Sequence, residues 1–242
     1  MSSRALVLLG LLLVLAGQGA WAGVTAERTR VIVPEGVREV SLLLANVNEY
    51  PVVTQTWIDD GSLDSTPDKA VAPLMPLPAM FRMEPGERRS LRLLFTGGDL
   101  PADRESLFWL NIYEIPPKPK GPLPPESSRL TVTMRTQMKV FYRPKHLEPS
   151  SEEAISRLGF SLQQKAGKPL LRINNPTPYH VTLVGLELRN GATSQSAAGD
   201  MLAPFSQLDV PLTEALPGKG TQVVFSWIDD DGINQQRQIR IP

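Results

Sequence analysis

The chain has 242 residues, enough for one large domain or two of ordinary size. Its 25 Lys and Arg balance 25 Asp and Glu, so no net charge draws it to a polyanion and nucleic acid is not expected as a partner. It holds no cysteine, which excludes disulfides, thiolate metal sites and cysteine nucleophiles, while 23 prolines and 18 glycines favour short strands joined by turns.

The first segment reads as a processing signal. Arg4 supplies a positive start, Ala5 to Ala16 is almost wholly apolar but short for a bilayer, and Ala20-Trp21-Ala22 is a small-x-small cleavage site. Residues 1–22 are therefore expected to be a signal peptide cut between Ala22 and Gly23. No later segment is apolar enough to cross a membrane, so the mature chain is expected to be exported without a membrane span.

Strand-like runs then follow at short intervals. They cover Val24–Val33, the leucine-rich Glu39–Ala45, and Val52–Ile58 with Trp57. After the turn Glu84-Pro85-Gly86-Glu87 come Arg89–Phe95, Ser106–Ile115 and Leu130–Tyr142. Strands with turn signals in this rhythm predict an antiparallel, immunoglobulin-like β-sandwich over residues 23–143. The polar, proline-bounded stretch 144–151 reads as a linker. A second, smaller sandwich is expected over 152–242. Its strands lie near Leu158 and over Leu170–Ile173, Val181–Leu188, Gln207–Val210, Gln222–Ile228 and Gln236–Ile241, with a short helical turn over Glu152–Arg157. The fold class is all-β.

The strand from Leu130 is unusual. Leu130, Val132 and Met134 share one face, and Thr131, Thr133 and Arg135 share the other. An exposed strand so patterned offers backbone groups and regular apolar knobs to another chain. Six prolines precede it (Pro116, Pro117, Pro119, Pro122, Pro124 and Pro125); such a loop could be a stiff surface connector or a ligand for a proline-reading groove, but in an exported protein the preferred expectation is that it holds the strand's start at the sheet edge and discourages self-pairing.

Candidate chemistry is sparse. His146 and His180 read as exposed polar side chains, since no serine elbow, paired-histidine metal motif or phosphate loop accompanies them. Asp229-Asp230-Asp231-Gly232 fails the calcium-loop spacing and reads as a turn between strands. The phrase Trp-Ile-Asp-Asp at 57–60 and 227–230 reads as coincidence. Arg28 and Arg30 fall on one face of the first strand, and Lys139 lies in the last strand of the first half. By default all three read as ordinary surface charge; an anion site would need an anion partner, and composition alone does not supply one.

Six phrases together resemble a known family. They are Glu27-Arg28-Thr29-Arg30-Val31, Gln55-Thr56-Trp57-Ile58, Asp103-Arg104-Glu105-Ser106-Leu107-Phe108-Trp109-Leu110-Asn111, Glu114-Ile115-Pro116-Pro117, Lys139-Val140-Phe141-Tyr142-Arg143-Pro144 and Asn175-Pro176-Thr177-Pro178-Tyr179. Their order over residues 23–242 resembles the PapD-like periplasmic chaperones of the chaperone–usher pilus pathway. The resemblance implies two immunoglobulin-like domains set at an angle, boomerang-like, with a cleft between them. It implies a non-enzymatic, cofactor-free periplasmic protein that completes pilin (fimbrial) subunits by donor-strand complementation and passes them to an outer-membrane usher.

The same resemblance implies residue roles. Arg30 and Lys139 would anchor the C-terminal carboxylate of the subunit. Leu130, Val132 and Met134 would enter the subunit's groove. Glu105, Arg143 and Asp230 would form an interdomain salt bridge that orients the domains more than it stabilises them. Alternation along the strand puts Lys139 opposite in parity to the apolar row, so its convergence with Arg30 comes from the resemblance and not from spacing. The loop before Leu130 is long for the short-loop members, yet the N-terminal extension and paired cysteines of the long-loop members are absent, which favours the short-loop subclass. Whether the free protein caps its own edge by dimerising is left open. The rival reading is a secreted two-domain adhesin or ligand-binding sandwich, which would need neither the basic pair nor the apolar edge. A hydrolase ranks third, for want of a nucleophile–base arrangement.

Overall fold

A computed structural model describes residues 23–118, 121, 128, 130–217 and 219–241. The expected signal peptide with Ala22, together with Pro119, Pro122, Pro124, Pro125 and Arg129, lies outside the described residues.

The first half is a two-sheet sandwich. One sheet has the order β1-β3-β7-β5, from β1 (Val24–Ala26), β3 (Glu39–Asn46), β5 (Leu74–Leu77) and β7 (Arg88–Phe95). The other has the order β2-β9-β8-β4-β6, from β2 (Arg30–Pro34), β4 (Val52–Asp59), β6 (Met80–Met83), β8 (Ser106–Ile115) and β9 (Met134–Arg143). Alternate residues point inward, and Leu42, Leu44, Leu91, Leu93, Leu110 and Val140 are fully buried between the sheets.

The second half repeats the architecture with a separate core. β10 (Gly159–Lys165), β11 (Lys168–Asn175) and β15 (Ser206–Pro211) make one sheet, in the order β10-β11-β15. β12 (Val181–Asn190), β13 (Thr193–Ala198), β16 (Gln222–Ile228) and β17 (Asn234–Arg240) make the other, in the order β13-β12-β16-β17, and the short β14 (Met201–Leu202) also pairs with β12. Leu171, Ile173, Leu188, Val223 and Phe225 fill the space between them. The one-turn helix α1 (Ser151–Ala154), capped by the Ser150 hydroxyl, and a 3-10 turn (Ile155–Arg157) introduce this half. No helix among the described residues is long and apolar enough to cross a membrane.

Several expectations need correction. Val24–Val33 is not one strand. The chain leaves the first sheet after Ala26 and enters the second at Arg30, across a bend formed by the polar run Glu27-Arg28-Thr29. Three successive polar residues break the alternation that a single strand would require. Arg28 therefore sits in the bend and not on a shared face with Arg30. The last strand of this half begins at Met134, not Leu130. Its ladder with β8 stops at the pair Glu114↔Met134, and Pro116 and Pro117, which lack N–H donors, follow just beyond Ile115.

Four strands were not foreseen. β5 contains Pro76, which argues against a strand in the middle of a sheet, but β5 is an edge. β6 is a four-residue edge strand, β13 (Thr-Ser-Gln-Ser-Ala-Ala) is a mostly polar edge that packs only Ala197 against the core, and β14 spans two residues.

Candidate functional site

The register of one strand pair creates the site. β2 runs parallel to β9 and pairs Arg30 with Lys139, which sets the two basic side chains next to one another on one face at the junction of the domains. Strand alternation explains why Lys139 lies off the apolar row. Met138, Val140 and Tyr142 point into the core, and Lys139, Phe141 and Arg143 point the other way, toward the second domain.

Arg30 is buried. Its Nη1 donates to the Ile228 carbonyl at 3.0 Å, its guanidinium lies 5.9 Å from the Phe141 ring centre, and its Nε has no partner among the described residues. Lys139 Nζ donates to Thr182 Oγ1 at 3.0 Å and lies 5.6 Å from the Trp109 ring centre. Burial pushes the Lys139 amine below its ordinary value, and the Arg30 charge pushes it further down, offset in part by Asp200. Burial likewise lowers Arg30, with Asp230, Asp229 and Glu105 offsetting part of the effect. Two desolvated cations side by side, one with an unused donor, form a site that favours an anion.

A cavity of about 350 Å³ opens beside Arg30, lined from both domains, including Glu105, Phe141, Arg143, Tyr179, His180 and Asp230. Arg143 bridges its walls. Its Nε donates to Glu105 Oε1 at 2.7 Å, and Nη1 and Nη2 donate to Asp230 at 2.6 and 2.8 Å, while the guanidinium stacks 5.1 Å from the Tyr179 ring centre. Burial alone would lower Arg143; hydrogen bonds and charge from Asp230 and Glu105 overcome it and hold the group above its ordinary value. Asp230 is likewise opposed by burial, but the Arg143 bonds win and keep its carboxyl below the usual range. Glu105 also accepts the His180 backbone N–H at 2.8 Å, and its own N–H donates to the Pro178 carbonyl at 2.9 Å.

His180 is thus not an exposed surface group: its ring is 8% exposed, 3.4 Å from Glu105 Oε2 and 5.4 Å from the Phe141 ring centre. The Asp229–Gly232 segment is the tight β16–β17 turn, in which Asp229 Oδ1 accepts the N–H groups of Asp231 and Ile233. Gly232 has φ +83°, and a Cβ there would lie 2.5 Å from Thr29 Oγ1, so the turn packs directly on the bend between β1 and β2. The sequence offered no signal for Thr182, the Ile228 carbonyl or Trp109 as parts of this site.

The ion triad is asymmetric. The Glu105 side chain is 2% exposed and that of Asp230 is 43% exposed. Against the expectation of a mainly orienting triad, removing Arg143 strands the buried carboxylate of Glu105, so Arg143→Ala is expected to cost about 3–5 kcal/mol. Asp230→Ala is expected to cost at most about 1 kcal/mol. Urea unfolding of both variants checks this, and equal losses would contradict the asymmetry. Because the folded pKa of Asp230 lies below its ordinary 3.8, its contribution is full at neutral pH and is lost as pH falls through the lowered value.

From the cleft, β9 leads back to the apolar row. β2 meets β9 only from Lys139 onward, so residues 134–138 have β8 on one side and no strand on the other among the described residues. Leu130, Val132 and Met134 are 87%, 63% and 49% exposed. They share the parity of the core-facing Met138 and Val140, so the row extends the sandwich's inner face past its edge.

Comparison with known proteins places this arrangement. Residues 23–148 match the family described as "Pili and flagellar-assembly chaperone, PapD N-terminal domain", and residues 153–239 match "Pili assembly chaperone PapD, C-terminal domain". The chaperone protein FimB/FhaD of Bordetella pertussis is 36% identical over 218 residues, covering 88% of this chain and 85% of that protein. The crystal structure of the Pseudomonas aeruginosa CupB2 chaperone superposes with a TM-score of 0.72 at 32% identity, over 90% of this chain and 100% of the other. A chain of the Salmonella enterica SafA pilin–SafB chaperone complex superposes with a TM-score of 0.74 at 25% identity, over 92% and 98%. With family matches over both halves and a shared two-sandwich fold, the chain belongs to the PapD-like family of pilus assembly chaperones, a family of chaperones and not a class of enzymes.

Proposed function

We propose that this protein captures pilin-type subunits in the periplasm by lending them the edge of β9, holds each by its C-terminal carboxylate at Arg30 and Lys139, and delivers it to an outer-membrane usher. It acts as a binding protein, without catalysis or cofactor. The working parts are a chaperone domain over 23–143, a linker over 144–151 and a second domain over 152–242, once the signal peptide has been removed.

The observation that carries this reading is the continuity of the open edge with the basic pair. Met134 and Lys139 are five residues apart, roughly 17 Å along a strand. An incoming strand laid on that edge would reach the Arg30–Lys139 pair at one end. If its carboxylate is its last group, it must run in the same direction as β9, which also enters the cleft with its C-terminal end. Backbone pairing supplies affinity that depends little on sequence, and the spaced knobs supply register. A slip of one residue would turn Leu130, Val132 and Met134 away from the groove. Without a subunit, the same edge is available to a second copy of the chain.

Relatives support the subunit class, one of them having been solved in complex with a pilin. The test is co-expression with a fimbrial subunit from the same cell, followed by purification of the tagged chaperone from periplasm. A one-to-one complex that is lost when the subunit's last residues are removed is the expected result. Equal recovery of the truncated subunit would overturn the carboxylate anchor.

A further inference from the structure

The lending segment has a ladder on one side only, yet it is not left to fray, and the reason lies on its opposite face. Arg135 projects outward from β9 and crosses the neighbouring strand β8. Its Nε donates to Asn111 Oδ1 at 2.8 Å, its Nη1 to the Leu63 carbonyl at 2.8 Å and its Nη2 to the Ser62 carbonyl at 3.3 Å. Nη2 also lies 3.6 Å from Asp59 Oδ2, and the guanidinium stacks 5.0 Å from the Trp57 ring centre. One side chain therefore ties β9 to β8, to β4 and to the loop after β4.

The receiving groups are built for it. Asp59 and Asn111 are buried, and Asp59 accepts from Trp57 Nε1 at 3.0 Å, Asn111 Nδ2 at 2.7 Å and the Gly61 N–H at 2.7 Å. The Asn111 amide is thereby oriented with its nitrogen on Asp59 and its oxygen toward Arg135. Two residues earlier, on the same outward face, Thr133 Oγ1 accepts from the Tyr113 hydroxyl at 3.1 Å. The apolar row has no part in these bonds, because it points the other way.

We propose that Arg135 is a positioning residue for subunit capture. It straps residues 134–138 to the sheet from behind, so that the lending edge is already a strand, in register, before a subunit arrives. This rests on the strand-lending reading above. A partner that meets an ordered edge does not have to bear the entropy of ordering it, and that difference appears as affinity. Arg is required because a planar fork serves several acceptors at once, which a lysine ammonium cannot do.

The test uses the full chain in two measurements. In the free chaperone, amide hydrogen exchange is compared between residues 134–138 and the core amides of Leu91 and Leu93 for wild type, Arg135→Ala and Arg135→Lys. Both variants are expected to speed exchange in 134–138 about tenfold or more, the size expected for losing a hydrogen bond to a charged group, with the core amides unchanged. In the second measurement, the affinity of Arg135→Ala for a purified fimbrial subunit is expected to fall about tenfold. Unchanged exchange at 134–138, or exchange that rises equally at Leu91 and Leu93, would overturn the strap. So would full restoration by lysine, or an affinity equal to wild type. The exchange measurement contains no subunit, so a wild type that binds no subunit would sink the capture reading alone.

Discussion

Replacing Lys139 with Ala is expected to abolish subunit capture and leave the protein about as stable as before, or more so. The Lys139 amine is buried next to Arg30, and both effects hold its pKa below the ordinary 10.5. A base whose folded pKa lies below its unfolded one opposes folding while it is charged. At neutral pH the unfolded chain binds that proton more readily, so the penalty is present below the folded pKa and disappears as pH rises through the window up to about 10.5. Set against the one bond to Thr182 Oγ1 that is lost with the side chain, relief of this penalty should leave Lys139→Ala close to or above wild type in thermal midpoint at pH 7, and any gain should vanish above about pH 10.5. Binding moves the other way. On the proposed anchoring, a carboxylate between Arg30 and Lys139 would receive charge-assisted bonds from both, and truncating one partner of such a desolvated contact costs about 2–5 kcal/mol, roughly a thirtyfold to several-thousandfold loss of affinity. Arg30→Ala should lose capture to the same degree; it gives up its bond to the Ile228 carbonyl, as Lys139→Ala gives up its bond to Thr182 Oγ1, so the stability balance of the two variants should be similar. Titration calorimetry with a subunit, alongside thermal unfolding, separates the two effects. A Lys139→Ala protein that binds normally, or one that is unstable at pH 7, would contradict this account.

How much of this could be seen in the sequence depends on how local each feature is. The two-sandwich architecture was legible because strand alternation and turn residues are local signals, and β3, β7, β8 and β16 fall within one residue of their expected bounds or match them. Edge strands were hidden. β13 offers only Ala197 to the core and β5 carries Pro76; an edge strand tolerates both, because one of its sides has no neighbour to pair with. The division of Val24–Val33 between two sheets was visible only as the polar run Glu27-Arg28-Thr29. The meeting of Arg30 with Lys139 was beyond any local reading. It depends on a parallel pairing between residues 109 positions apart in the chain, and only the family resemblance pointed to it. The same is true of Arg143, whose three hydrogen bonds reach 38 residues back to Glu105 and 87 residues forward to Asp230. In the sequence Arg135 is simply one of the polar residues facing away from the apolar row. Its role emerges only when Ser62, Leu63 and Asp59 are folded against it.

The lending edge itself makes the second strong demand. Val132 is 63% exposed and has no ladder partner, so in the free protein Val132→Asp is a surface change and should alter stability by no more than about 0.5 kcal/mol. In the complex it is a different substitution. The valine would contribute roughly 1.5–3 kcal/mol on burial in the subunit's groove. The aspartate forfeits that and must also place a carboxylate among apolar groups without a partner, at a further cost of several kcal/mol. The two losses add, so capture should fall at least about a hundredfold at neutral pH. Val132→Thr, nearly isosteric and uncharged, should lose much less, because its hydroxyl carries no charge to desolvate. The contrast between Asp and Thr discriminates burial from mere strand propensity. Threonine is as good a strand former as valine requires, so a large loss on both would point to a steric or backbone effect, while a loss confined to Asp places position 132 inside the partner. An affinity unchanged by Val132→Asp would mean that the subunit docks elsewhere on the molecule, and the strand-lending reading would have to be given up.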